Sequence, residues 1–165
     1  MVSDEQMMSL LEAARWAPSS FNAQLWRFVY AKRGTAYFDQ FFNTLVPFNQ
    51  VWAKNASFLV LIISRMNFTY NDQPSRTHSF DAGAAWQNLA LEGSMQGLVV
   101  HAMEGFNYDK ARKICAIPND YSIEAMVAIG KPGLITDLPE DLQAREFPSD
   151  RDPLHTLIFE GKFRV

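Results

Sequence analysis

The chain has 165 residues, 48% of them hydrophobic and 20% charged, proportions of a globular domain that exclude a disordered chain. A net charge of −3 speaks against a general nucleic-acid-binding face, and the longest apolar run, residues 58–63, is too short to cross a bilayer. The single cysteine, Cys115, leaves no internal disulfide and no CxxC motif, and residues 1–8 carry neither the basic nor the apolar part of a signal peptide. A soluble cytoplasmic domain with neither nucleic acid nor membrane as partner is the expectation.

In chain order, Ser3 followed by Gln6 reads as a capping box ahead of Met7, Met8, Leu10, Leu11, Ala13 and Ala14, an amphipathic first helix stopped by Pro18. The polar residues 18–24 cannot continue that helix and read as a loop. Residues 26–31 look like a strand, and Arg33-Gly34 a turn. Tyr37, Phe38, Phe41, Phe42 and Leu45 recur at helical spacing, so a second helix follows. Residues 57–64, SFLVLIIS, form a continuous apolar run that predicts a strand buried on both faces. Residues 67–79 are a surface loop.

Residues 80–97, FDAGAAWQNLALEGSMQG, predict a long helix that is apolar on nearly every side and therefore central and buried. Gly83 and Gly93 would permit close approach of a neighbouring helix or chain, and Gly97 is placed as a C-cap. A strand over 98–103, a short helix over 108–115 and a further strand within 121–130 complete an alternation of strands and helices. That alternation points to an α/β or α+β layer domain rather than a bundle. After Pro132 the chain turns polar, then ends on an apolar stretch, 154–163, with no obvious place in a compact monomer. The 13 Phe, 5 Tyr and 4 Trp need partners in a core, around a planar ligand or at a subunit interface.

The usual catalytic signatures, GxGxxG, GxxxxGK[ST] and GxSxG, are absent from the sequence. His78, His101 and His155 lie far apart without ligand spacing, so no metal site is expected, and His101 reads as a structural histidine. Cys115, between Ile114 and Ala116, reads as a buried inert thiol. Glu12, Glu92 and Glu124 read as solvated or paired carboxylates. What remains is polar without being acid or base. Ser19, Ser20, Asn22 and Gln24 could read the edge of a heterocycle with hydroxyls and carboxamides, or simply build a turn. Residues 101–106, HAMEGF, allow a flat ligand to approach the backbone at Gly105, or make a tight strand-to-helix turn. Arg151 could meet a phosphate or pair with its flanking aspartates.

LLEAARWAPSSFNAQLWRFVYAKRG resembles the opening signature of the nitroreductase family, in which a helix ends in Ala-Pro-Ser-Ser and runs into Asn-x-Gln-Pro-Trp, with Leu25 here in place of proline. Phe48-Asn49 before Trp52, the helix DAGAAWQNLALEGSMQGL, the MEGF of residues 103–106, EAMVAIGKPG and Arg151-Asp-Pro-Leu follow in the family's order. The resemblance covers nearly the whole chain as a single nitroreductase-like domain, 1–165. It implies an α+β fold with a central, mostly antiparallel sheet flanked by helices, and an intertwined homodimer with one FMN per site. Carried over residue by residue, Pro18, Ser19, Ser20 and Asn22 would contact the isoalloxazine from the partner subunit, with Gln24 supporting that loop. Asn49 would face the pyrimidine edge, Glu104 and the Gly105 backbone would lie near N5, and Arg151 would pair with the phosphate.

The implied activity is that of a flavin oxidoreductase. Hydride passes from NADH or NADPH through flavin N5 to a nitroaromatic, quinone or similar small-molecule acceptor by ping-pong kinetics. The flavin carries the chemistry, so no side chain is assigned as catalytic. Two departures bear on affinity. The family's Arg-x-Ser-x-Arg arm, which grips the FMN phosphate, aligns ahead of Met1, and Ser149 stands where a lysine or arginine often precedes Arg151. Losing two charge-assisted contacts of about 1.5–3 kcal/mol each would weaken FMN binding by roughly two to four decades. The alternative function is then a nitroreductase-fold dimer with weak or no flavin binding: a truncated, carrier or non-catalytic form. A dehalogenating or oxidising branch is disfavoured because no long lid insertion is visible.

Overall fold

The Ser3 hydroxyl accepts from the Gln6 amide and the Gln6 side chain accepts from the Ser3 amide, each at 3.1 Å, so α1 (Asp4–Arg15) starts on the expected capping box. The structure, a computed structural model, describes residues 1–164 in two compact units, Met1–Pro132 and a second beginning at Gly133. In the first unit α1 is followed by β1 (Trp26–Lys32), α2 (Ala36–Phe42), α3 (Pro47–Ala53), β2 (Phe58–Arg65), α4 (His78–Met95), β3 (Val99–Met103), α5 (Tyr108–Ile114) and β4 (Tyr121–Gly130). The strands form one sheet in the order β1-β2-β4-β3, and every pairing is antiparallel. The fold is thus α+β, with a central antiparallel sheet flanked by helices.

The two central strands explain the apolar run at 58–63. Every residue of β2 from Phe58 to Ser64 is buried, because each face of the strand is covered. On one face Val60, Ile62, Val127 and Ile129 pack against Met7, Leu10 and Ala14 of α1 and Ala82, Ala85 and Leu89 of α4. On the other, Leu59, Leu61, Ile63 and Met126 pack against Phe38 and Phe41 of α2, Ala53 of α3, Phe106 and Ala111. Fully burying each of the Val, Leu, Ile, Met and Phe side chains among these contributes about 1.5–3 kcal/mol before entropy is charged.

Two expectations need correction. Residues 47–53 form a separate helix, α3, that the apolar periodicity of 37–45 does not predict; Pro47 at its first turn supplies the preset φ and needs no amide partner. The long helix α4 is not buried all round in this chain. Its buried face is Asp81, Ala82, Ala85, Leu89 and Gly93, whereas Phe80, Leu91 and Met95 are exposed. Gly97 does close α4, at φ 67°, with the Leu98 amide donating back to the Gly93 carbonyl at 2.8 Å.

The second unit holds a four-residue helix, α6 (Glu140–Gln143), between two short 3₁₀ turns, Ile135–Asp137 and Leu154–Thr156. Leu142 is buried, while Leu154, Leu157, Ile158, Phe159 and Phe163 are exposed. None of the helices among the described residues is long and apolar enough to cross a membrane.

Candidate functional site

The loop after α1 is built by its own polar side chains. Ser19 Oγ accepts the Gln24 amide at 3.1 Å, and the Gln24 carboxamide donates to the Asn22 carbonyl at 3.0 Å and to Asn22 Oδ1 at 3.1 Å. The Asn22 amide donates to the Ser19 carbonyl, and the Ala23 amide to that of Ser20, each at 3.0 Å, closing a 3₁₀ turn over Ser20–Asn22. Phe21 and Asn22 both have φ 52° and Gln24 has φ 49°. Three non-glycine residues in left-handed conformation within four positions store backbone strain of order 1–3 kcal/mol each, and such strain persists only where the surroundings over-determine it. Pro18 and Asn22 are exposed and Ser19, Ser20 and Gln24 half-buried.

The second group forms where α3 meets the end of β3. Asn49 is buried, and its Nδ2 donates at 3.0 Å to the Gly105 carbonyl, which also accepts the Val46 amide at 3.0 Å. A Cβ on residue 105 would lie 2.5 Å from Asn49 Nδ2 and 3.0 Å from Val46 Cγ2, so only glycine allows this approach. Glu104 beside it is exposed. The packing therefore joins Asn49 and Gly105, 56 residues apart in sequence, into one unit.

These two groups stand on opposite layers of the sheet. Ala17 and Trp26, which bracket the loop, belong to the layer of α1 and α4, and the Ser20 amide donates at 3.0 Å to Asp81 of α4. Leu45, Ala53 and Phe106, which bracket Asn49 and Gly105, belong to the layer of α2 and α3. Arg151 lies in the second unit, exposed. Its guanidinium donates to the Ser149 carbonyl and hydroxyl and to the Asp150 carbonyl at 2.9–3.1 Å, rather than pairing with the neighbouring aspartates.

The remaining candidates are structural. His101 is exposed on β3 with its ring centroid 4.6 Å from that of Trp52. Burial pushes the Cys115 thiol up, away from a reactive thiolate. Glu12 pairs with Arg15; Glu92 accepts from Gln96 and Ser9, which hold its pKa below the ordinary range; Glu124 meets Ser64, Ser79 and His78. Sequence reasoning missed Asp81, which is buried. Its signal was present: it is the one acidic residue in the first turn of α4.

The comparisons with known proteins are consistent with one another. The model of the Nitroreductase family matches residues 1–46 and 33–131. Protein DrgA of Synechocystis is 31% identical over 159 residues, covering 77% of this chain and 73% of its own length. The Major NAD(P)H-flavin oxidoreductase of Aliivibrio fischeri is 35% identical over 74 residues, 43% of this chain and 34% of its own. A solved oxidoreductase containing FMN superposes with a TM-score of 0.95 at 43% identity, covering 99% of this chain and 84% of that one.

Proposed function

The chain belongs to the nitroreductase family, and from that premise we propose that it is an FMN-dependent oxidoreductase that takes electrons from NADH or NADPH. In this reading residues 1–165 form one nitroreductase-like domain that works in the cytoplasm as an intertwined homodimer. The observation that carries it is the separation of the two polar groups onto opposite layers of one chain. That separation supports a planar ligand contacted by one group from each of two chains.

The residues present fit a flavin ring. Both groups offer neutral donors and acceptors rather than titrating acids, suited to the amide-like edge of a heterocycle. Asn49 spends one amide hydrogen on Gly105 and keeps its Oδ1 and second hydrogen available. The bare Gly105 backbone leaves a surface on which no Cβ can intrude. Bound FMN would supply the redox chemistry, a ring that accepts a hydride at N5 from NAD(P)H and passes it to a nitroaromatic, quinone or similar acceptor in ping-pong half-reactions.

The protein's part is to bind and orient. Asn49 and the Gly105 backbone would hold the ring's pyrimidine edge and N5 side, with Glu104 at their margin. Pro18, Ser19, Ser20 and Asn22 of the other chain would cover the ring, Gln24 would brace their loop, and Arg151 would neutralise the phosphate. Water exclusion follows from closing two protein layers over one planar group.

The test is the visible absorption spectrum of the purified protein with and without added FMN, followed by anaerobic addition of NADH and of NADPH. A protein-bound flavin spectrum that bleaches with either nucleotide supports the reading and ranks the two donors. No bound flavin in excess FMN overturns it and favours a non-catalytic dimer.

A further inference from the structure

We propose that Asp81 is the positioning residue of the cofactor loop, a role that rests on the flavin reading above. Among the described residues, the segment 18–22 has one hydrogen bond that leaves the loop, from the Ser20 amide to Asp81 Oδ2 at 3.0 Å. Its other hydrogen bonds run within residues 19–24 and would move with the loop, while the Phe21 ring rests edge-on against Phe68 with centroids 5.9 Å apart, an apolar contact that fixes no backbone amide. The same Oδ2 accepts the Thr77 hydroxyl at 3.3 Å, although Thr77 sits at the N-cap position of α4, where its side chain would ordinarily cap a helix amide. The Thr77 hydroxyl thus braces the Asp81 carboxylate instead of capping a helix amide.

Asp81 is 4% exposed and forms no ion pair among the described residues. A buried carboxylate needs hydrogen-bond partners, and the Ser20 amide and the Thr77 hydroxyl supply them. What the arrangement does achieve is a fixed Ser20 amide, immediately ahead of the two consecutive left-handed residues Phe21 and Asn22. A strained turn anchored at one end is preorganised; released, it relaxes to a broader ensemble in which Ser19, Ser20 and Asn22 no longer share one geometry. Asp81 touches none of the reacting atoms. It acts through the loop.

The experiment compares the parent protein with Asp81→Ala, Asp81→Asn and Thr77→Val. FMN affinity is read from quenching of flavin fluorescence, and amide hydrogen exchange of the peptide spanning residues 18–24 is read without FMN. Asp81→Ala should raise the FMN Kd by about tenfold or more and speed exchange in that peptide. Asp81→Asn, which keeps an acceptor for the Ser20 amide, should restore most of the affinity. Thr77→Val should raise the Kd by about threefold, and it decides the matter if Asp81→Ala fails to fold. Unchanged FMN affinity and unchanged exchange in a folded variant would reduce Asp81 to a stability role and overturn the proposal. A parent protein that takes up no FMN overturns the flavin reading first, and this proposal with it.

Discussion

At the scale of single residues, the close approach of Gly105 to Asn49 makes a coupled pair. Alanine at 105 would place its Cβ 2.5 Å from Asn49 Nδ2, the far end of a side chain that can swing aside. Gly105→Ala is therefore expected to cost no more than about 1–2 kcal/mol of stability, yet to displace the Asn49 carboxamide. Asn49→Ala and Gly105→Ala should each raise the FMN Kd about tenfold, and the double variant little further, because both remove the same contact. A flavin titration of the three proteins checks this, and full additivity would break the pairing. Glu12 offers a second test. Hydrogen bonds from Arg15, and then from the Trp16 indole, lower its pKa from 4.5 to about 2. A folded-state value below the unfolded one stabilises the fold above pH 4.5, and that contribution disappears as pH falls toward 2. The Tm of Glu12→Gln should thus change less than that of the parent between those limits. Of the site itself, the residue types were readable in the sequence while their meetings were not. No spacing rule joins Asn49 to Gly105 or Ser20 to Asp81, since tertiary packing makes those contacts.

At the scale of elements, legibility followed how local the cause was. The capping box of α1 and the Gly97 stop of α4 are short-range chemistry and were visible in a few residues. The buried β2 was visible because covering on both faces leaves an unbroken apolar run. α3 was hidden because only seven residues form it and one contributes the polar Asn49 to a buried position, so no clean apolar stripe remains. Periodicity shows the apolar faces of α4 without saying which molecule covers them, so it overstates how much of the helix this chain alone buries. Inside the chain α4 meets β3 at Gly93, where a Cβ would lie 2.4 Å from Val100 Cγ2. Valine is short and stiff at χ1, so it has little room to yield. Gly93→Ala should destabilise by about 1–3 kcal/mol, each kcal/mol lowering Tm by roughly 2–4 °C. A thermal melt of that variant with no loss would mean the α4–β3 contact relaxes easily.

At the scale of the whole molecule, the exposed face of α4 has the regularity of an interface. Phe80, Gly83, Gln87, Leu91 and Met95 recur at three- and four-residue spacing, and all are exposed. Phe80 and Met95 are 80% and 77% exposed, a waste of about 1.5–3 kcal/mol of burial each if nothing covers them. Leu91→Glu is expected to weaken self-association at least about a hundredfold by setting an unpaired charge in an apolar contact. Light scattering after size exclusion should then report a monomer, and flavin should be lost together with the dimer. A variant that self-associates as the parent does would show that the proposed dimer does not form through this face of α4.

The central position of β2 also governs how the chain is made. Its uncharged segment Phe58–Ile63 must pair with β4, which begins only at Tyr121. At about 5–20 residues per second, a ribosome takes roughly 3–11 s to deliver that partner. For those seconds the most β-prone stretch of the protein can pair on one side only, with β1, and offers its other edge to any nascent neighbour. Lys54 and Arg65 flank the segment in the manner of charged gatekeepers. The strand that anchors the finished sheet is thus the chain's main hazard during synthesis, and a lower expression level, with fewer nascent chains side by side, is the condition under which soluble yield should rise.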